Sequence, residues 1–172
     1  MKFLNTIFIP ISISGLMNSK IMCLKLRYLK MNSLYGDYRL VCEHFNSVQA
    51  TMLLEMVKDN PKVKELIMTG DDLSQIDEEL LFHAVSKLES VSLIGTHLTD
   101  EQLARVFSAA ASSDSLKSLN LSSNNLSKLS PDLLVSAAAN LTVLGLESSS
   151  LTQQQCRDII IGGKTQKVNS FI

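Results

Sequence analysis

Residues 116–126 read LKSLNLSSNNL, with leucine at Leu116, Leu119, Leu121 and Leu126 and asparagine at Asn124. The spacing of Leu119 and Leu121 has period 2, which puts both side chains on one face of a short strand and leaves Ser118, Asn120 and Ser122 on the other. The same template recurs downstream as Leu141, Leu144, Leu146, Ser149 and Leu151. Upstream it recurs as Leu88, Val91, Leu93, Thr96 and Leu98, as Val63, Leu66, Met68, Asp71 and Leu73, and in degraded form as Tyr35, Tyr38, Leu40, Glu43 and Phe45. The starts at Tyr35, Val63, Leu88, Leu116 and Leu141 are spaced 28, 25, 28 and 25 residues, so two units make a period of 53. A shift of 53 also brings Leu73-Ser74 onto Leu126-Ser127, Leu80-Leu81 onto Leu133-Leu134, and Leu98-Thr99 onto Leu151-Thr152. A fixed period of this kind is the mark of stacked repeats, in which no unit covers its own core and neighbours bury it jointly.

Helix starts follow the same period. Asn46, Thr99 and Thr152 lie 53 apart, each with glutamine three residues on, at Gln49, Gln102 and Gln155. That pairing predicts a capping box, in which each side chain satisfies an amide that the helix start leaves open. In the alternate units the start moves to Asp77 and to Ser130, where Pro131 fits the first helical position because no partner is needed for its missing N–H. Apolar positions at helical spacing follow, for example Leu103, Val106, Phe107 and Ala110.

The pattern resembles the leucine-rich repeat, L-x-x-L-x-L-x-x-N-x-L, over about residues 35–168, and residues 116–126 match every fixed position. The 25–28-residue spacing with a helix per unit is similar to the ribonuclease-inhibitor-like class. The resemblance implies an α/β leucine-rich-repeat solenoid of about five repeats, with short parallel strands inside and helices outside. It also implies a concave strand face used for binding. Candidate partner-binding residues are then Glu65, Ile67 and Thr69; Ser90, Ser92 and Ile94; Ser118, Asn120 and Ser122; and Val143 and Glu147, with Asp37, Arg39, Val41 and Gly145 in equivalent positions. This face is small, rich in serine and nearly neutral, and it lacks the Trp and clustered Arg that commonly anchor interfaces. A merely solvated surface is the competing reading.

Composition narrows the function classes. Of 172 residues, 45% are hydrophobic and 19% charged, enough apolar matter for a core and too little charge for a disordered chain. Aromatic content is 5% with no Trp, which disfavours a base-stacking RNA face. A net charge of -1 gives no global attraction for nucleic acid, and no apolar run reaches the roughly 20 residues of a transmembrane segment. Charge is uneven. Residues 1–36 carry five cations and no acid, which leaves 11 cations against 17 acids from residue 37 onward. This places a boundary near residue 34, between a basic, apolar N-terminal extension (1–34) and the repeat domain (35–172).

Within that extension, residues 3–17 follow Lys2 as a mostly apolar stretch with a small-x-small site at Ser12-Ile13-Ser14. It resembles a secretory signal that would remove residues 1–14, but Asn5, Thr6, Ser12 and Ser14 dilute it. An irregular extension on a cytoplasmic protein is the preferred reading, and Cys23, Cys42 and Cys156 are too few and odd in number for a disulfide framework. Residues 21–31 fit a strand template and read as a cap-like strand or amphipathic segment. Gly162-Gly163 marks a helix stop, and 168–172 can begin one more strand. No polar capping repeat is visible, which leaves open a piece of a longer array.

The remaining motifs favour structural readings. The acidic group Asp71, Asp72, Asp77, Glu78 and Glu79 could draw a basic partner or a cation, but Asp77 to Glu79 suit the positive end of a helix dipole and the group lacks the alternating spacing of a calcium loop. Cys42-x-His44 has no second pair to complete a zinc site, and His83 and His97 fall in a helix and a repeat turn. Gly163-Lys164-Thr165 lacks the earlier glycine and strand of a phosphate loop. The sequons at Asn120, Asn125 and Asn140 arise from the repeat consensus itself. No cofactor or metal is expected. The function expected is a non-catalytic protein–protein interaction module. Families with this repeat include cytosolic inhibitors, immune-receptor sensor domains, actin-capping tropomodulins and GTPase-activating proteins. A GTPase-regulating accessory protein and a secreted recognition protein are therefore the alternatives.

Overall fold

The computed structural model describes residues 29–34, 37–162 and 167–169. The chain runs β1 (Leu29–Leu34), β2 (Asp37–Glu43), α1 (Ser47–Asp59), β3 (Val63–Thr69), α2 (Glu78–Lys87), β4 (Ser90–Ile94), α3 (Asp100–Ser112), β5 (Ser118–Asn120), α4 (Pro131–Asn140), β6 (Val143–Gly145), α5 (Gln153–Gly162) and β7 (Lys167–Asn169). The seven strands among the described residues form one sheet in sequence order. The pairs from β2–β3 to β6–β7 are parallel, and β1 pairs antiparallel with β2. Five strand–helix units thus stack as the repeat requires, an α/β solenoid of the leucine-rich-repeat kind. Of the cap-like strand or amphipathic segment expected over 21–31, residues 29–31 fall in β1, which continues to Leu34; residues 21–28, the signal-like stretch and Gly163 lie outside the described residues.

Register explains the leucine spacing. Leu40, Leu66, Val91, Leu119 and Leu144 align across five adjacent strands, and none is more than 1% exposed. Beside them Cys42, Met68 and Leu93 form a second buried row, which Leu121 continues just beyond β5. Each helix packs on its sequence neighbours, and Ala84, Ala109, Ala110, Ala137 and Ala138, all fully buried, let helix and sheet approach closely. The burial of Leu or Val at each strand position stabilises by about 1.5–3 kcal/mol relative to exposure, and the benefit is shared between neighbouring units.

The helix starts follow the sequence reading. Asn46–Gln49 and Thr99–Gln102 form complete capping boxes, and Thr152 and Gln155 exchange the same two bonds. Asp77 caps α2 by accepting the Leu80 amide. Ser130 precedes α4, yet its side chain makes no capping bond, and Pro131 alone marks that start.

Candidate functional site

The solvent side of the sheet carries the candidate residues in rows. Arg39, Glu65, Ser90, Ser118 and Val143 align in one row, and Val41, Ile67, Ser92, Asn120 and Gly145 in the next. A third begins with Glu43, Thr69 and Ile94. Arg39 Nε lies 3.3 Å from Glu65 Oε2 across the first row. Both side chains are partly solvated, so this pair contributes little stability and mainly orders the rim. Ile67, Ile94 and Val41 are half-buried, as are Ser90, Ser92, Ser118 and Val143, while Thr69 and Glu147 are exposed. Val41, Ile67 and Ile94 therefore make an apolar strip on the N-terminal half of a face that is otherwise hydroxyl-rich.

Two positions depart from the simple alternation. Ser122, expected on the open face, is 7% exposed. Strand β5 ends at Asn120, whose Oδ1 accepts the Ser122 amide at 3.0 Å, and this turn takes Ser122 out of the ladder. Its hydroxyl then accepts the Glu147 amide at 3.1 Å, so Ser122 ties two units together and presents no surface to a partner. Gly145 is buried because the Asn120 side chain lies over it; a Cβ there would stand 2.8 Å from Asn120 Cγ. Asn120 is thus half-buried and doubly constrained.

Behind the strands' C-terminal ends runs a buried polar ladder at the consensus asparagine position. Asn124 Nδ2 donates to the carbonyls of Leu93 at 2.7 Å and Leu121 at 3.1 Å, and its Oδ1 accepts the Thr96 amide at 3.3 Å. Asn124, Ser149 and Asp71 look back to the preceding unit. Ser149 Oγ reaches the Leu121 carbonyl at 3.5 Å, while Thr96 closes its own turn by donating to Leu93 O at 3.2 Å. Asp71 accepts the Phe45 amide, is fully buried, and leaves Oδ2 without a partner among the described residues. Burial holds its carboxyl above the usual carboxylate range, against the opposing pull of the Phe45 and Thr69 amides. Glu43, placed at the asparagine position by the 28-residue spacing, is instead exposed and pairs with Thr69 in the open-face row, because β2 aligns Leu40 with Leu66 and Cys42 with Met68, two residues off that spacing.

The other motifs resolve simply. Cys42 is fully buried and its thiol is pushed up by desolvation and by Asp71, whereas His44 is exposed at a left-handed turn, so the two do not form half of a metal site. Asp77 Oδ1 caps α2 and Glu78 and Glu79 occupy its first turn, as the dipole reading expects. Asp72 accepts from Ser74, closing a local turn. Of the sequons, Asn120 packs on Gly145, Asn140 Nδ2 donates to the carbonyls of Ala110 and Ser113, and Asn125 Oδ1 accepts both Ser127 donors. Among the described residues no helix is long and apolar enough to cross a membrane.

Sequence reasoning missed a second ladder. Gln102 and Gln155 do more than complete their boxes: both are 3% exposed, and their carboxamides donate to the preceding turn, Gln102 to Leu73 O and Ile76 O, Gln155 to Leu126 O and Leu129 O. The 53-residue spacing of the glutamines was the available signal.

No family model matches the chain, and no curated protein matches it in sequence. Among solved structures, the C-terminal domain of tropomodulin from Caenorhabditis elegans is similar at a TM-score of 0.50 and 13% identity, covering 70% of this chain and 81% of that one. At that identity the likeness is one of architecture, and it agrees with the repeat fold derived from residues 116–126.

Proposed function

We propose that the protein is a non-catalytic protein-binding module that takes its partner on the concave face of β2 to β5. The observation that carries this reading is the strip of Val41, Ile67 and Ile94, half-buried on the solvent side of the sheet beside the Arg39–Glu65 pair. Apolar side chains on a rigid strand platform gain most from a partner that removes their remaining exposure to water. The polar positions around them, Ser90, Ser92, Thr69 and Ser118, suit a hydrated rim. A cytoplasmic setting fits the free thiols of Cys42 and Cys156.

The test is a full-length Ile67→Arg/Ile94→Arg variant, compared with the native chain as bait in quantitative affinity capture from its natural source. Both side chains point to solvent, and Arg can lay its stem along the sheet with its charge in water, so an unchanged melting temperature serves as the folding control. We expect proteins captured by the native chain to fall about tenfold or more with the variant. Equal capture by both would remove the concave strip as the binding face.

A further inference from the structure

We propose that the face of α1 bearing Gln49, Met52 and Met56 is the docking site of residues 3–28 of this same chain. The argument begins with the glutamine ladder. Gln102 and Gln155 each hold two carbonyls of the preceding turn, so the helix face that carries them is the one turned toward the preceding unit. Gln49 occupies the same position one period earlier. Its Oε1 accepts the Asn46 amide as in the other boxes, and its Nε2 has no hydrogen bond among the described residues.

The residues beside Gln49 point the same way. A shift of 53 places Met52 on Arg105 and Met56 on Ala109. Arg105 pairs with Glu79 on α2, and Ala109 is fully buried. Those positions of α3 therefore face a packed neighbour. On α1 they are two methionines, both half-buried, with no described helix before them. An apolar residue where an inner unit has an arginine suits an apolar partner and not a copy of α2. Methionine is also the side chain that best fills an irregular contact.

Chain continuity and charge select the occupant. Leu29 pairs with Cys42, at the end of β2 from which the chain turns into α1. The segment before β1 therefore leaves the sheet beside the first turn of α1, where Gln49 sits. Residues 3–28 carry many apolar side chains, among them Ile7, Ile9, Leu24 and Leu26, together with Lys20, Lys25 and Arg27 and no acid. The edge it leaves from presents exposed Glu43 and Asp72. Helix α1 is about 20 Å long, well within the span of 26 residues. Carbonyls of this segment would take the place that Leu73 O and Ile76 O hold for Gln102.

Gln49→Glu in the full chain isolates the contact, because the carboxylate keeps the bond to the Asn46 amide and loses only the donor. We expect its melting temperature to fall by about 5 °C, comparable to the fall for Gln102→Glu. On a full-length background with Ile7, Ile9, Leu24 and Leu26 all changed to Asp, Gln49→Glu should cause no further fall. No change or a rise for Gln49→Glu alone would overturn the proposal, since an acid in the first turn of an open helix is favourable. A full effect on the four-aspartate background would overturn it as well. So would a native melting temperature that rises with protein concentration, which would identify the occupant as a second copy.

Discussion

Asp71, Thr96, Asn124 and Ser149 fill equivalent places in successive turns, and their bonding capacity decides how well each turn is closed. Asn124 offers two donors and an acceptor and uses both kinds. Threonine and serine offer less, and ionised aspartate offers no donor at all. The carbonyl of Cys42, which the register aligns with the Leu93 carbonyl that Asn124 holds, thus lacks the side-chain donor an asparagine would bring. Asp71→Asn is therefore expected to stabilise the fold by about 1 kcal/mol near neutral pH. The sign follows from linkage. Burial raises the folded-state pKa of Asp71 above its unfolded value, so the native chain holds that proton more tightly. The native protein accordingly loses stability as pH rises through the folded pKa and regains it as pH falls toward the ordinary carboxylate range. The advantage of the asparagine variant should shrink over the same interval, as thermal melts across pH would show; an advantage independent of pH would contradict the assignment. The ladder itself was legible at Asn124, where the consensus is complete. The unpartnered oxygen of Asp71 was not, because it depends on the depth of a turn that no residue spacing records.

At the scale of elements, the two kinds of helix start differ in a measurable way. Thr99 and Gln102 close α3 with reciprocal bonds, whereas Ser130 makes none and α4 relies on Pro131. Thr99→Ala should cost about 1 kcal/mol and Ser130→Ala close to nothing. Equal losses in chemical denaturation would contradict this. The capping boxes could be read from the sequence because their two partners are only three residues apart. Ser122 could not be read in the same way. Period-2 alternation puts it on the open face, but alternation holds only while the strand lasts, and the Asn120 side chain ends β5 by taking the Ser122 amide. The equivalent Thr69, one period earlier, remains within β3 and stays exposed.

Across the whole molecule the 53-residue period extends to the backbone. Left-handed φ values recur at His44, His97 and Ser150, at Gly70 and Ser123, and at Gly95 and Ser148. These positions turn each strand toward its helix, and their amides join neighbouring turns: Gly70 N to Ile94 O at 3.0 Å, Gly95 N to Ser122 O at 3.0 Å, and Ser123 N to Glu147 O at 2.8 Å. Glycine meets this conformation without strain and serine or histidine only at some cost, and at Gly70, Gly95 and Ser123 the bond to the next unit holds the turn in place. Residue identity at these turns varies while conformation does not, which is why the turns escaped a reading based on leucines. The leucine pattern nevertheless carried the architecture, because a one-residue slip in any strand would exchange its core and solvent faces. The apolar strip on the solvent side of the sheet was legible as a set of positions. Which of them remain available was decided by contacts such as Asn120 over Gly145.

The central claim is one continuous parallel sheet in the register set by that pattern. Nuclear Overhauser contacts between backbone protons of isotope-labelled full-length protein test it directly. We expect contacts joining Leu66 to Val91, Val91 to Leu119, and Leu119 to Leu144, with antiparallel contacts only between β1 and β2. A register displaced by one residue in any of these pairs, or antiparallel contacts between β3 and β4, would contradict the stacked-repeat account.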